Sequence, residues 1–584
     1  MFGKPLENNN SFVRQAAILG GASILVRLMG FITRILLTDL IGDEGNFLYG
    51  AGYSIYAFAI IVSSGALPAA VSKLVSERIA LGQYRNAHEL FRTAMLMAAV
   101  LGLGASAVLA FGADIIAVHF FVAPQAMYAI RTLAPTVFIV ALLAVFRGYF
   151  QGMKNARPTA LSQVVEQIFN AVATVWLAWL FLDEARIELS VAGATAGTGI
   201  GALAAVAVVG IMYVLAAPAI KRRAYGGAVE DGHEFIQGFA SSQVQGQARD
   251  DEQISDFLQE SENSIDESRG AKIFCNDTVD GNESRRVQIK KILATALPII
   301  IGMSIFAIAG IVDMAMAQRR IAASGAFTLE EIGIIVGQFT GKFIVLTTFP
   351  VSLSLALSAA VIPEISTSSI LNDITAIKNK INMSLRLSMA VSIPAAVGMA
   401  VLANPILVML FPNNPEGGWM LQVGGISVIF MAMSQIITGV LQGAGKVSLP
   451  VIGAFFGVVI KIILNWVLMA QPAINIMGAV ISTIVCYVVV TVFNIYFLKK
   501  HLGITPDFAA AIIKPTVAAA IMGASAWASF YFLSGVVTQA LATLAAMGVG
   551  AMVYLVAMSL LRGFHPDDLA AMSLPGWVRK LLRR

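Results

Sequence analysis

The chain has 584 residues, 58% of them hydrophobic and only 12% charged. Soluble domains carry about 25% charged residues, so this composition excludes a soluble globular protein and indicates a polytopic membrane protein. The formal charge of +5 hides an asymmetry: residues 224–284 hold 14 acidic and 3 basic side chains, net −11, which leaves +16 on the remainder. A cationic excess on a membrane protein points to topology signals and anionic lipid, not to nucleic acid.

The first apolar run, 14–41, is too long and too arginine-bearing for a cleavable signal peptide and reads as a retained span. It carries Arg27 and Arg34 inside it, seven residues apart and so on one helical face, with Gly30 between them. A charge at membrane depth costs a few kcal/mol at least, so it is paired, snorkelled or facing water. Two readings stand side by side. Either the stripe faces an anionic ligand in an internal cavity, or Arg34 snorkels to an interface and Arg27 pairs with a buried carboxylate.

Further runs of spanning length follow at 47–72, 91–112, 127–150, 159–182 and 190–217. After a polar break they resume at 291–317, 332–362, 383–411, 421–443, 450–470, 474–498, 508–533 and 537–561. The expected fold is an all-α integral membrane protein of fourteen transmembrane helices, six before the break and eight after. Every second connection is basic, from Lys4 and Arg14 through Lys73, Arg78, Arg85 and Arg92 to Lys499, Lys500 and Lys514. Arg131, Arg186 and the Arg319–Arg320 pair break that rule. The positive-inside rule then places both termini in the cytoplasm of a multi-pass plasma-membrane protein.

The two halves repeat. Ala69-Ala70-Val71 with Ser76 recurs as Ala359-Ala360-Val361 with Ser366, and Gln151-Gly152 recurs as Gln442-Gly443. Val164-Val165 with Ile168 matches Val458-Val459 with Ile462, and Gly193-Ala194 with Thr198 matches Gly478-Ala479 with Thr483. Six helices precede the second copy, so the copies share one orientation, related by an axis along the membrane normal. The expected divisions are an N-terminal lobe at 1–220, an acidic cytoplasmic linker at 221–285 and a C-terminal lobe at 286–503. Two extra helices at 504–563 and a basic cytoplasmic tail at 564–584 complete the chain. The linker's Gly, Ser, Gln, Asp and Glu content argues for disorder, with Ile254, Phe257 and Leu258 as one short amphipathic helix. It reads as a dispensable insert or as a regulatory, partner-binding segment.

Polar residues inside the spans mark a common interior. The fifth helix carries Gln163, Glu166, Gln167 and Asn170 at i, i+3, i+4, i+7; the eleventh carries Lys461 and Asn465. Gln338 and Lys342 lie on the eighth, Gln435, Thr438 and Gln442 on the tenth, and Asp313 on the seventh. Arg27, Arg34, Lys342 and Lys461 are the candidate substrate-binding cations. Glu166, Asp313, Gln163, Asn170 and Asn465 are candidate ion-coupling or cavity groups. The competing reading is helix–helix glue, with Glu166 paired to Arg27 or Lys461 and Asp313 to Lys342.

Enzyme signatures are missing from the sequence. It has no Walker A loop, no HExxH and no G-x-S-x-G, and its five histidines do not cluster. Cys275 and Cys486 give neither a disulfide framework nor a metal spacing, and Asp567–Asp568 beside Pro566 reads as a helix cap. No metal or cofactor is expected.

Gly42-Asp43-Glu44-Gly45-Asn46 with Leu48-Tyr49, and the run Pro68 to Ser76, resemble the polysaccharide-transport branch of the multidrug/oligosaccharidyl-lipid/polysaccharide flippase superfamily. The likeness is strongest to stage V sporulation protein B-like proteins and lipid II flippases. Gln442-Gly443 before Lys446 and Pro450, and Lys461 with Asn465, fit it in the second half. The resemblance implies two pseudo-symmetric six-helix lobes rocking about a central cavity. A lipid-linked oligosaccharide diphosphate then passes from inner to outer leaflet for cell-wall or polysaccharide synthesis. It further implies that Arg27 and Arg34 hold the diphosphate, and that the last two helices form a groove for the lipid tail. A membrane potential or monovalent-cation gradient would supply the drive, with Asp313 or Glu166 coupling. Implied partners are the lipid-linked glycan and cell-wall synthesis proteins. Two other readings are a drug/cation antiporter of the same superfamily and a membrane enzyme acting on polyprenyl-phosphate sugars.

Overall fold

The structure is a computed structural model that describes residues 9–183, 186–225, 283–370 and 373–563. Most of the expected acidic linker, with Cys275, Ile254, Phe257 and Leu258, lies outside the described residues, as does the tail with Asp567 and Asp568. The described elements are helical. They are α1 (Asn9–Ile60), α2 (Leu67–Ala80), α3 (Tyr84–His119), α4 (Ala126–Gly152), α5 (Arg157–Leu180) and α6 (Ile187–Tyr225). After the linker come α7 (Arg285–Ala322), α8 (Leu329–Gln338), α9 (Ile344–Ile370), α10 (Ile374–Val401), α11 (Ala403–Leu410) and α12 (Gly418–Gly424). The last are α13 (Ser427–Gly443), α14 (Ser448–Leu468), α15 (Met477–Leu502), α16 (Lys514–Leu533) and α17 (Gln539–Leu560). Wide π turns at Ile61–Gly65, Phe339–Phe343 and Ala509–Ile513 join α1 to α2, α8 to α9 and the 508 segment to α16.

Helices dominate because a bilayer offers no partner for an unpaired backbone N–H or C=O. Among the described residues, eleven helical stretches are long and apolar enough to cross a membrane. The bent pair α12–α13, angled at 50°, makes twelve. One of the eleven, Gly21–Ala80, is 60 residues long. That is roughly three times the length a hydrocarbon core requires, so it holds more than one crossing. The division falls at Gly42 (φ 67°, ψ −175°), a backbone conformation that side chains with a Cβ rarely tolerate. The runs at 14–41 and 47–72 predict a break between them, and the structure makes it a kink at Gly42 where two helices meet, not an open loop. α5 is long enough to span but stands outside the eleven, and its polar stripe accounts for that.

Packing runs largely within two groups. α1 through α6 pack on one another, with α5 against α6, α3 against α4 and α1 against α5 and α4. α9, α10, α13 and α15 pack together, as do α14 with α15 and α7, while α16 and α17 pair and lean on α10 and α11. Helices gain little from the hydrophobic effect inside lipid, so small residues that let backbones approach do the packing. A Cβ at Gly152 would stand 2.8 Å from both Ser72 O and Val75 Cβ. At Gly443, 291 residues on, it would stand 2.8 Å from Ile362 O and 3.0 Å from Ile365 Cβ, each 290 residues beyond its counterpart. The same contact thus recurs at the spacing of the sequence repeat.

α1 joins the two groups, touching α7, α8, α9 and the 339–343 turn as well as its own bundle. Ties stand at both ends of the molecule. At one end Lys342 Nζ lies 2.7 and 2.9 Å from the two oxygens of Asp43, Gln338 Nε2 donates to Asp43 at 3.1 Å, and Asn413 donates to Asp39. Gly337 abuts the Asp43 carbonyl so closely that a Cβ would stand 1.7 Å away. At the other end Arg78 pairs with Glu283, Lys291 reaches Glu283 at 2.9 Å, and Thr93 donates to Gln288 at 2.5 Å. Burial pushes the Glu283 carboxyl up, but hydrogen bonds from Arg78 and Lys291 outweigh it and hold the group below the ordinary glutamate range.

Candidate substrate-binding site

α1 carries its two buried-segment arginines to the seam between the groups. Arg27 is half-buried and donates through Nη1 to the Ser352 carbonyl of α9 at 3.3 Å. Four residues after Arg27, Phe31 stacks on Phe349, ring centroids 4.1 Å apart. Gly30 lets α1 run close to α5, since a Cβ there would meet Gln167 Nε2 at 3.3 Å. Arg34 lies over the ring of Tyr49, 4.2 Å from its centroid, and its Nη1 is buried without a hydrogen-bond partner among the described residues.

Tyr49 opens an aromatic ladder along the second half of α1. Its ring stacks on Tyr53 (5.2 Å, 12°), Tyr53 meets Tyr56 edge-on (5.2 Å), and the Tyr49 hydroxyl bonds to Thr198 of α6. The spacing i, i+4, i+7 puts all three on one face. Across from it, α5 presents its polar stripe. Glu166 pairs with Arg147 of α4 at 2.5 Å, and Arg147 Nε also donates to Ser162. Asn170 accepts from Thr174 at 2.8 Å, while Gln163 Oε1 is buried without a partner.

The other candidate cations are occupied differently. Lys342 is buried against Asp43 and the Glu416 carbonyl (3.0 Å). Lys461 is buried 2.6 Å from Asp313, Asn465 donates to the same carboxylate at 2.7 Å, and Ser482 donates to Asn465. The sequence-based pairings therefore need correction. Glu166 joins Arg147, not Arg27 or Lys461, and Asp313 joins Lys461, not Lys342. Adjacency decides it: α4 and α5 are joined by a short turn, and α14 packs against α7. Lys342 and Lys461 are not brought to Arg27 and Arg34.

This leaves an electrostatic contrast. Arg78, Arg147, Lys342 and Lys461 each meet a carboxylate, whereas Arg27 and Arg34 form no ion pair with a described residue. A guanidinium without a counter-charge attracts an anion, and its planar fork suits phosphate oxygens. A separate apolar groove of about 550 Å³ lies on the opposite face of α1, between Ile32, Leu36, Trp176 and Trp179, and shares nothing with the arginines.

Sequence reasoning missed Arg147 and the tyrosines. Arg147 is a charge inside a spanning run, the same signal that singles out Arg27. The tyrosines repeat at helical spacing but look like ordinary interfacial aromatics.

Residues 12–225 match the family described as "Polysaccharide biosynthesis protein", and residues 281–557 match "Lipid II flippase MurJ". The chain is 23% identical over 495 residues to stage V sporulation protein B of Bacillus subtilis, covering 85% of each. It is 24% identical over 604 residues to lipid II flippase MurJ of the same organism, covering 98% of this chain and 99% of that one. Its fold resembles a solved structure of lipid II flippase MurJ in an inward closed conformation, with a TM-score of 0.61 and 15% identity over 92% of this chain and 97% of that one.

Proposed function

From the premise that the chain belongs to the multidrug/oligosaccharidyl-lipid/polysaccharide flippase superfamily, we propose that it flips a lipid-linked oligosaccharide diphosphate, lipid II or a related polyprenyl-linked glycan, from the inner to the outer leaflet. The observation that carries this reading is the unpaired cation set. Among the described residues Arg27 and Arg34 meet no carboxylate, whereas Arg147, Lys342 and Lys461 each do. The diphosphate supplies the missing counter-charge, and its dehydration is offset by a half-buried guanidinium at Arg27 and one at Arg34 whose Nη1 is buried.

The drug/cation antiporter reading needs a free interior carboxylate. Asp43, Glu166 and Asp313 are each held by a lysine or arginine, which favours the anionic substrate.

The transport cycle is alternating access between an N-terminal lobe (1–220) and a C-terminal lobe (286–503), with 504–563 as an added pair and fourteen crossings in all. The kink at Gly42, the bent α12–α13 pair and the polar α5 support three crossings beyond eleven. Both termini face the cytoplasm, so the Asp43–Lys342 tie closes the outer end and the Arg78–Glu283 tie the inner. Lys342 is the pin of the outer tie, while Lys461 pins α14 to α7 through Asp313; a potential or a monovalent-cation gradient would act through Glu166 and Asp313 once Arg147 and Lys461 release them. Cell-wall synthesis proteins are the expected partners.

The test is depletion and rescue. A bacterium stripped of its own lipid II flippase receives wild type, Arg27→Ala or Arg34→Ala at equal membrane abundance. Growth and outward-facing lipid II should return with wild type alone. Rescue by both alanine variants would overturn the arginine mechanism, and no rescue by well-expressed wild type would move the substrate to another lipid-linked glycan.

A further inference from the structure

We propose that the interior of the α1–α6 bundle holds a saccharide subsite beside the anion site, formed by Tyr53, Tyr56, Gln163 and Gln167. The inference rests on the flippase reading and adds to it where the first sugar of the substrate lies. In a sugar diphosphate the sugar is bonded directly to a phosphate oxygen. Whatever binds the diphosphate at Arg34 therefore sets the sugar among Arg34's own neighbours.

Those neighbours differ on the two sides of α1. Toward α9 stand Phe31, stacked on Phe349, and the Ser352 carbonyl that Arg27 already holds. Toward α5 and α6 the neighbours are polar and uncharged apart from one matched pair, Arg147 with Glu166. Gln167 approaches α1 at Gly30, one turn before Arg34, and Gln163 lies one turn further along the same stripe. Tyr53 lies within electrostatic reach of both Arg34 and Glu166, and Tyr56 of Glu166. The hydroxyl of Tyr49 is committed to Thr198; Tyr53 and Tyr56 continue the ladder beyond it.

Hydroxyl chemistry fits this compartment. Buried polar groups are almost always satisfied, so each exception calls for a reason. Here Gln163 Oε1 is an orphaned acceptor and Arg34 Nη1 an orphaned donor, on facing helices of one bundle. A sugar presents both kinds of group, and tyrosine meets it with a polar tip and an apolar ring edge. Amides and phenols discriminate a polyol from a bare phosphate without adding charge, which is what a site next to two arginines requires.

Binding to the purified full chain in lipid nanodiscs, read by native mass spectrometry, tests this with two probes. One is a polyprenyl diphosphate and the other is the same lipid carrying one N-acetylhexosamine. Wild type should bind the sugar-bearing lipid at least about fivefold more tightly, the value of roughly one net hydrogen bond. Gln163→Leu and Tyr53→Phe should each erase that advantage while still binding the sugarless lipid, and Arg34→Ala should weaken both probes. Melting curves matching wild type certify that the variants fold.

Equal affinities in wild type, or an advantage that survives in both variants, would overturn the subsite and leave the flippase reading standing. Wild type that binds neither lipid would remove the flippase reading and the subsite with it.

Discussion

At the scale of single residues, function turns on which charges are matched. Arg34 contributes a planar fork laid on an aromatic ring, a geometry an ammonium cannot reproduce. Arg34→Ala should lower transport at least about tenfold, the effect of losing one charge-assisted contact to phosphate, and Arg34→Lys should recover only part of it. Initial rates at equal protein abundance check both. Glu283 gives a prediction in pH. Its carboxyl is held below its ordinary value, so the stability it lends is fully present above about pH 4.5 and is lost as pH falls through its lower, folded-state value. Crosslinking between cysteines placed beside Arg78 and Glu283 should therefore persist at pH 5 and fade only under stronger acid. In Glu283→Gln the same crosslink should show no acid-dependent step. Arg27 and Arg34 were legible in the sequence because a charge inside an apolar run needs no alignment to be seen. Their lack of partners was not legible. Pairing depends on which helices are neighbours, and Glu166 finds Arg147 across a short turn instead of a distant lysine.

At the scale of elements, small residues and buried pairs carry the packing. A Cβ at Gly197 would stand 2.4 Å from the backbone nitrogen of Thr174, so Gly197→Val should separate α5 from α6 and lower the melting temperature. The Asp313–Lys461 pair tests a different term. Lys461→Met alone leaves a buried carboxylate unpaired and should cost about 3–5 kcal/mol, whereas adding Asp313→Leu should recover most of that loss. Thermal unfolding of the two single variants and the double variant reads the coupling directly. Most helix positions were evident in advance, because the bilayer fixes a length and the backbone must satisfy itself within it. The 42–46 stretch was harder to place. Gly-Asp-Glu-Gly-Asn has the composition of a loop, yet the helix breaks only at Gly42 and resumes at once, with Lys342 holding Asp43 and Asn46 bonding back to Gly42. Tertiary partners overrode local propensity.

For the whole molecule, the structure is tied at both ends of the seam, so transport requires each tie to open in turn. Gly337 is the tightest point of the Asp43 end, and Gly337→Ala inserts a methyl where no space exists. That substitution should favour the state open at this end, seen as faster thiol labelling of a cysteine placed at Thr38, which lies buried beside the same contact. The repeat was visible as four short matches in order, and the Gly152 and Gly443 contacts give those matches a common packing role. The most direct measurement of the central claim is translocation of a fluorescent lipid-linked oligosaccharide diphosphate in vesicles containing only this protein. Wild type should carry the label across, and Arg27→Ala and Arg34→Ala should each lose at least about tenfold in rate while melting like wild type. Alanine variants that move the lipid as fast as wild type would contradict the account.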